Sequence, residues 1–506
     1  MKDLYEKYKQ HMQKIADVNY STAVLQWDQE VYMPEEGAKY RAQQLSTLSG
    51  IVHEMSTSDE LGKMLNELKN DETLSVKEKA NVTESLRYYT DQKKYTTAFV
   101  IKLTQTISES FQAWQKAKKE NLPDGKTGNF KLFQPQLEKL VELKKQECEL
   151  LGYEEHPYDA LLNQFEPGST TKKLKALFQG VRDELVPFVK KIAQQPKPDY
   201  SFLLKHYDKD KQWKYGMDVL KQMHFDFEAG RQDISTHPFT TNFNAKDVRV
   251  TTRINENDFR EMTWSCVHEG GHALYEQGLN ADDYGLPSGE YLSLSIHESQ
   301  SRLWENNVAR SLGYWKNNYK NLQDLFSENL KDIPLEKFYK AINVVEPSLI
   351  RTSADELTYH FHVMIRFEME EGLLEGSVKV ADLPEVWNEK YKNYLGLEVP
   401  DDARGVLQDI HWSHGSFGYF PTYSQGSFYA AQFFIQAQKD IRDIDKEIES
   451  GNLKPLLDWL REKIHRHGRT LKAHELCKAI TGEELNFNNF MNYAKNKFSK
   501  IYDLNL

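Results

Sequence analysis

Apolar residues recur at three- and four-residue steps over most of this chain, and that spacing admits few architectures other than packed helices. The pattern runs through 2–17, 77–93, 99–119, 132–151, 171–194, 334–345 and 355–374. Glycines punctuate it: Gly152 follows one run, and Gly372 with Gly376 bracket the end of another. One stretch departs from the pattern. Between 237 and 255 the chain reads HPFTTNFNAKDVRVTTRIN, where Thr, Val and Phe alternate with polar residues, so a short hairpin or small sheet is expected. The segment NLPDGKTGN at 121–129 is a linker or surface turn, too short to prove a domain boundary. The expected fold class is mainly α: one domain over 1–506, large enough for two lobes around a central cleft.

Composition narrows the function classes. A formal net charge of −11 supplies no basic footprint to track a phosphate backbone, so nucleic acid is not an expected partner. Hydrophobic residues at 39% and charged residues at 28% describe a folded chain, not a disordered one. The cysteines Cys148, Cys266 and Cys477 are far apart and odd in number, which suits a reducing compartment better than a disulfide framework. The N-terminal MKDLYEKYKQHMQK is charged and lacks the apolar core of a secretion signal. The most apolar stretch, 428–435, is far too short to cross a bilayer. No membrane association is expected, and the default location is cytoplasmic.

The chemistry concentrates in DFREMTWSCVHEGGHALYEQG at 258–278. Asp258 with Glu261 resembles a capping box and Gly278 suits the position just past a helix end. Between them lies a helix of about five turns. His268 and His272, four residues apart, leave the same face one turn apart and can share one tetrahedral zinc. Glu269 is rotated off that face, close enough to act as general base on an activated water without being a ligand. Two buried histidines with ordinary hydrogen bonds would give the same letters. Glycine inside a helix costs about 1 kcal/mol relative to alanine. Gly270 and Gly271 therefore suggest that substrate or another backbone comes close. Glu298, on the helical run after the turn signals Gly285, Pro287 and Gly289, is the candidate third ligand, or else an ordinary salt-bridged carboxylate. His297, adjacent to Glu298, points away from the cation and either supports the ligands from behind or has no role there, and Cys266 reads as a buried thiol.

At this point the sequence resembles the thermostable carboxypeptidase family, the carboxypeptidase Taq type of H-E-x-x-H metallocarboxypeptidases. His237-Pro238-Phe239 matches HPF, Asp247 to Thr251 matches DxRxT, and His297-Glu298-Ser299-Gln300 matches HESQ. Ile350 to Asp355 matches IRxxAD, and Gly405 to Trp412 matches GxxQDxHW. The stretches WDQEVYMPEEGAKYRAQQL and GYEEHPYDALLNQFEPG are also similar, so the likeness covers most of the chain. It implies a helical fold with a deep groove, like neurolysin and angiotensin-converting enzyme, and a homodimer. It also implies one divalent metal, zinc replaceable by cobalt, and removal of single C-terminal residues from peptides with broad specificity.

An exopeptidase must recognise a terminal carboxylate, and a planar guanidinium fits it best. Arg351 is the leading candidate, placed before a helix that Ser353 and Glu356 would cap; its ordinary alternative is an ion pair with Asp355. Arg249 is second, with a cross-strand partner as its alternative. His237 could contact substrate or only order a turn. Donors for an oxyanion are sought in HWSHGSFGYFPTY, which offers His411, His414, Tyr419 and Tyr423, with Tyr423 and His414 preferred. Two competing functions remain: an endo-oligopeptidase or dipeptidyl carboxypeptidase, and a helical binding scaffold in which zinc is structural.

Overall fold

The three- and four-residue spacing closes into helix where the sequence predicts it, in a computed structural model that describes residues 2–505. Among its elements are the helices and strands α1 (Lys2–Val31), α2 (Lys209–Gln222), β1 (Gly230–Ile234), β2 (Thr240–Asn244), β3 (Asp247–Thr252), α3 (Phe259–Glu276), α4 (Leu294–Arg302), α5 (Tyr359–Glu375) and α6 (Pro421–Asp440), while Arg351, His411 and His414 lie on short 3-10 turns. Helix α1 extends well past the predicted end at 17. The run 171–194 is not one α-helix. It passes through a π turn at Val181–Leu185, because Pro187 cannot donate back to the preceding turn and its ring crowds the carbonyl there. The last predicted run starts late, at Tyr359, since Asp355 Oδ1 first accepts from the amides of Leu357 and Thr358 at 2.9 and 3.1 Å. Asp355, rather than Ser353 and Glu356, satisfies that helix entry. Gly372 lies inside α5, and only Gly376, at φ +90°, ends it.

Strands β2 and β3 form the expected hairpin, pairing Thr240 with Val250, Thr241 with Arg249 and Asn242 with Val248. The sequence misses β1, which runs parallel to β3 and makes it the central strand. Its GRQDI has no apolar alternation to announce it. Val248 and Val250 on β3 are buried, and α3 packs over β2 and β3.

The chain divides into two compact units. One comprises Met1–Lys93, Pro198–Ile342 and Tyr429–Leu485; the other comprises Lys94–Lys197, Asn343–Phe428 and Asn486–Leu506. The 121–129 loop sits inside the second unit as a surface turn, closed by a bridge between Asn121 and Thr127. In the first unit α3 runs through the core, burying Phe259, Met262, Cys266, Ala273 and Leu274 beside Leu220, Val248 and Trp304. Burying each large apolar side chain contributes about 1.5–3 kcal/mol, so the helix is firmly held.

Helix α4 folds back antiparallel on α3, so that Tyr275 meets Leu292, Glu276 meets His297 and His272 meets Glu298. The approach is close. A Cβ on Gly271 would lie 2.7 Å from Ser301 Cα and 2.8 Å from the Gln300 carbonyl oxygen. The glycine pair thus admits another backbone at Gly271, whereas Gly270 faces the ends of the Leu220 and Met223 side chains. Gly271→Ala should force the two helices apart and cost about 1–3 kcal/mol, read as a lowered thermal midpoint. Gly270→Ala should cost less, because side-chain ends can shift; equal losses would refute the backbone contact.

Candidate metal centre

Helix α3 begins at Asp258, whose Oδ1 accepts from the Arg260 amide at 3.0 Å. The reciprocal half of the predicted capping box does not form, because Glu261 accepts instead from Asn255 Nδ2 at 3.1 Å. Gly278 follows the helix end without a left-handed turn; its missing Cβ makes room for the His465 ring.

The helix delivers His268 and His272 one turn apart, with ring centroids 4.9 Å apart. Their Nε2 atoms lie 3.6 and 3.4 Å from Glu298 Oε2 on α4. Donors about 2.0–2.1 Å from a tetrahedral zinc stand roughly 3.3–3.4 Å from one another, so these atoms are spaced as such a cation requires. The group has three members, His268, His272 and Glu298, with all donor atoms within 4.8 Å. That composition fits a centre with one place left open better than a closed structural one.

A second layer fixes these side chains. His268 Nδ1 donates to Glu305 Oε2 at 2.9 Å, which leaves the Nε2 lone pair for a cation. Glu305 lies on a π turn, Leu303–Ala309, that continues α4. Arg310 donates to Glu305 Oε1 at 3.0 Å, and Arg302 donates to Glu298 Oε1 at 2.7 Å. The buried His272 Nδ1 finds no hydrogen-bond partner among the described residues. Its ring stacks instead on His297 at 4.4 Å. His297 Nε2 donates to Glu276 Oε1 at 2.7 Å, and Asn242 of β2 donates to the other oxygen at 2.7 Å. Thr240, two residues earlier on β2, donates to Glu269 Oε2 at 2.7 Å.

The electrostatics favour positive charge at this point. Burial works to lower the His268 pKa, yet the Glu298 and Glu305 carboxylates outweigh it and raise it. Burial drives His272 down to about 3, with His297 adding to the effect, so it stays a neutral donor. Against burial, Arg302 and His268 hold Glu298 well below the usual carboxylate range. Glu269 is raised, first by burial and further by Glu298.

The remaining sequence candidates fall in both units. In the first, His237 is exposed in the turn before β2, where its carbonyl accepts from Ser235 Oγ at 2.6 Å. Arg249 pairs with Asp247 on its own strand at 2.9 Å, not across the sheet, and lies over the Trp27 ring at 4.3 Å. In the second, Arg351 is 6% exposed and pairs with Asp409, not Asp355: its Nε donates to Asp409 Oδ1 at 2.9 Å, and its Nη1 donates to Tyr359 at 3.0 Å. Asp355 is already occupied by Thr358 and the Glu346 amide. His411 lies 3.2 Å from the Tyr423 hydroxyl, with Tyr419 and Phe420 around its ring. Burial, with Arg351 and Arg366 adding, holds it at about 3, hence neutral. His414, three residues on in the same short helix, is exposed and its ring lies against Phe111.

A second group with ligand spacing, His156, Glu371 and Glu375, lies in the second unit. Its atoms are already engaged: Lys175 pairs with Glu371, and His156 Nδ1 accepts from the Tyr158 amide. Sequence reasoning did not find Glu305, Arg302, Thr240, Asn242 or Glu276. Two of them left a trace: Arg302 lies four residues past Glu298, at ion-pair spacing on a helix, and Glu305 seven residues past it.

The sequence profile of the carboxypeptidase Taq (M32) metallopeptidase family matches residues 7–498, and the chain belongs to that family. Carboxypeptidase 1 of Bacillus subtilis (strain 168) is 40% identical over 501 residues, 98% of this chain and 99% of that protein. The M32 carboxypeptidase from Deinococcus radiodurans R1 superposes with a TM-score of 0.96 at 34% identity, covering 99% of this chain and 100% of that one. Metallocarboxypeptidase 1 of Trypanosoma cruzi does so with a TM-score of 0.92 at 31% identity, again over 99% and 100%.

In the second unit, Asp409 is clamped between Arg351 and Arg366, the latter donating from Nε to Oδ2 at 2.6 Å. Despite burial, the two guanidinium groups hold its pKa far below the ordinary value. Asp409→Asn should destabilise the protein by about 3–5 kcal/mol, because it leaves buried cations uncompensated. A depressed folded pKa gives stability that is complete above the unfolded value and lost as pH falls. The deficit, measured by denaturant unfolding, should therefore hold at neutral pH and shrink below about pH 4. A deficit that stays the same well below pH 4 would exclude the charge pairing as its cause.

Proposed function

We propose that this protein is a zinc carboxypeptidase that releases single residues of broad identity from peptide C-termini. The observation that carries the reading is the trio His268, His272 and Glu298, its donor atoms spaced for one cation, with Glu269 alongside on the same helix. Those three residues are the ligands in this reading, and cobalt can replace zinc. A cation bound there supplies Lewis-acid polarisation of the scissile carbonyl and acidifies a water. Glu269, held through Oε2 by Thr240, presents Oε1 to take the proton as water attacks. The same carboxyl then delivers that proton to the departing amine as the C–N bond breaks. A raised carboxyl pKa suits both halves of that exchange.

Recognition of the free terminus falls to Arg351 in this reading, with Arg249 and His237 as further substrate contacts. Tyr423, with His411, Tyr419 and His414, supplies donors to the oxyanion. His411, neutral and beside Tyr423, is better disposed for that than the exposed His414. We also place the protein in the cytoplasm as a homodimer: its cysteines are free and buried, as a reducing compartment allows, and the pairing of subunits follows from the family likeness.

Mass spectrometry of a digested peptide should show ladders that shorten one C-terminal residue at a time. These should vanish on chelation and return with zinc; internal cuts or released dipeptides would replace the assignment by the endo-oligopeptidase or dipeptidyl carboxypeptidase alternative. Glu269→Gln should retain one zinc per chain while losing at least about 10³-fold in kcat, on the scale of a lost general base and its positioning. An active variant would remove Glu269 from that role. Arg351→Ala should impair cleavage of free-carboxylate peptides far more than binding of their amidated counterparts, and equal impairment of both would withdraw its assignment.

A further inference from the structure

One oxygen of Glu298 is committed before any cation arrives. Arg302, one turn further along α4, donates from Nε to Glu298 Oε1 at 2.7 Å and from Nη1 to Glu305 Oε2 at 3.2 Å. That second acceptor is the same atom that receives the His268 Nδ1 hydrogen bond. One planar guanidinium thus spans two carboxylates, one in line with the cation position and one behind a histidine ligand. Neither can turn without disturbing the other, because the donors of an arginine are fixed in one plane. Glu305 is restrained from its far side too, where Arg310 holds Oε1 at 3.0 Å and lies over the Trp264 ring at 3.9 Å. Only Glu298 Oε2 faces both imidazole Nε2 atoms, with Ser301 Oγ 3.1 Å away.

The geometry points to Arg302 as a positioning residue that keeps Glu298 a one-oxygen ligand, and so preserves an open place beside three protein donors. That role rests on the proposed metal centre. A carboxylate free to turn can offer both oxygens, an arrangement favoured by larger, oxygen-preferring cations. Zinc in a hydrolytic site instead needs its fourth position left for water. Lysine could supply the charge but not the planar pair of donors.

Cobalt-loaded protein reports the difference without reference to activity, since the visible absorption of Co2+ weakens as its coordination number rises. Arg302→Lys and Arg302→Gln, checked for folding by circular dichroism, should bind zinc about 10–100-fold more weakly in chelator competition. Both should also show weakened cobalt absorption and a higher affinity for manganese relative to zinc. Glu305→Gln should weaken zinc binding but leave the cobalt absorption unchanged, because the hold on Glu298 Oε1 remains. X-ray absorption of the wild-type zinc protein should find four light scatterers, and this measurement decides the matter even if the arginine variants do not fold. Five scatterers, with both Glu298 oxygens bound, would overturn the assignment. So would folded arginine variants with wild-type zinc affinity and wild-type cobalt absorption. A wild-type protein that binds no stoichiometric zinc is a different failure, that of the metal centre itself.

Discussion

The contact on which the rest of the site depends is backbone against backbone, where α3 crosses α4 at Gly271 and Ser301. Side chains of ordinary size would hold two helices about 8–10 Å apart between axes. Here the missing Cβ lets the second helix settle against the first, so that Glu298 Oε2 reaches the two imidazole nitrogens. The short side chains Ser299 and Ser301 on α4, both fully buried, serve the same end. A helix carrying two histidines is easily written into a sequence. A third donor at the right distance demands this closeness.

Around that contact the charges are arranged to be tolerable while a cation is absent and useful when it is present. Three buried carboxylates, Glu269, Glu298 and Glu305, gather within one unit, and bare carboxylates at such depth are costly. Arg302 and Arg310 offset two of them, and burial eases the third towards its neutral form. Glu269 therefore differs from its neighbours in environment more than in kind. One residue type, held in three settings, serves three purposes.

Much of this was readable from the letters, for identifiable reasons. The donors His268 and His272 sit at a helical interval, and the turn signals before 294 predict that the next helix doubles back. The sheet was half legible: β2 and β3 alternate, whereas β1 has no alternation and exists only because β3 offers it an edge. Partners of the arginines were not legible at all. Arg351 was matched to Asp355 by helical spacing, but the helix begins at Tyr359, and the true partner, Asp409, lies 58 residues away in sequence. Glu305 escaped notice because a π turn carries it, and the wider spiral there alters which side chains share a face.

Strand β2 ties this chemistry to something unexpected, the counting of residues in a loop. Thr240 and Asn242 occupy one side of the strand, and reach Glu269 and Glu276 on the helix beneath. Side chains alternate along β2 up to the irregularity in its pairing between Asn242 and Asn244, so sliding the strand by a single position would turn both away and present Thr241 instead. The imidazoles and Glu298 would keep their places, since none of them belongs to the sheet. The length of the short connection between 244 and 247 is therefore under a constraint invisible in its own composition: it must keep time for a carboxylate some twenty-five residues downstream.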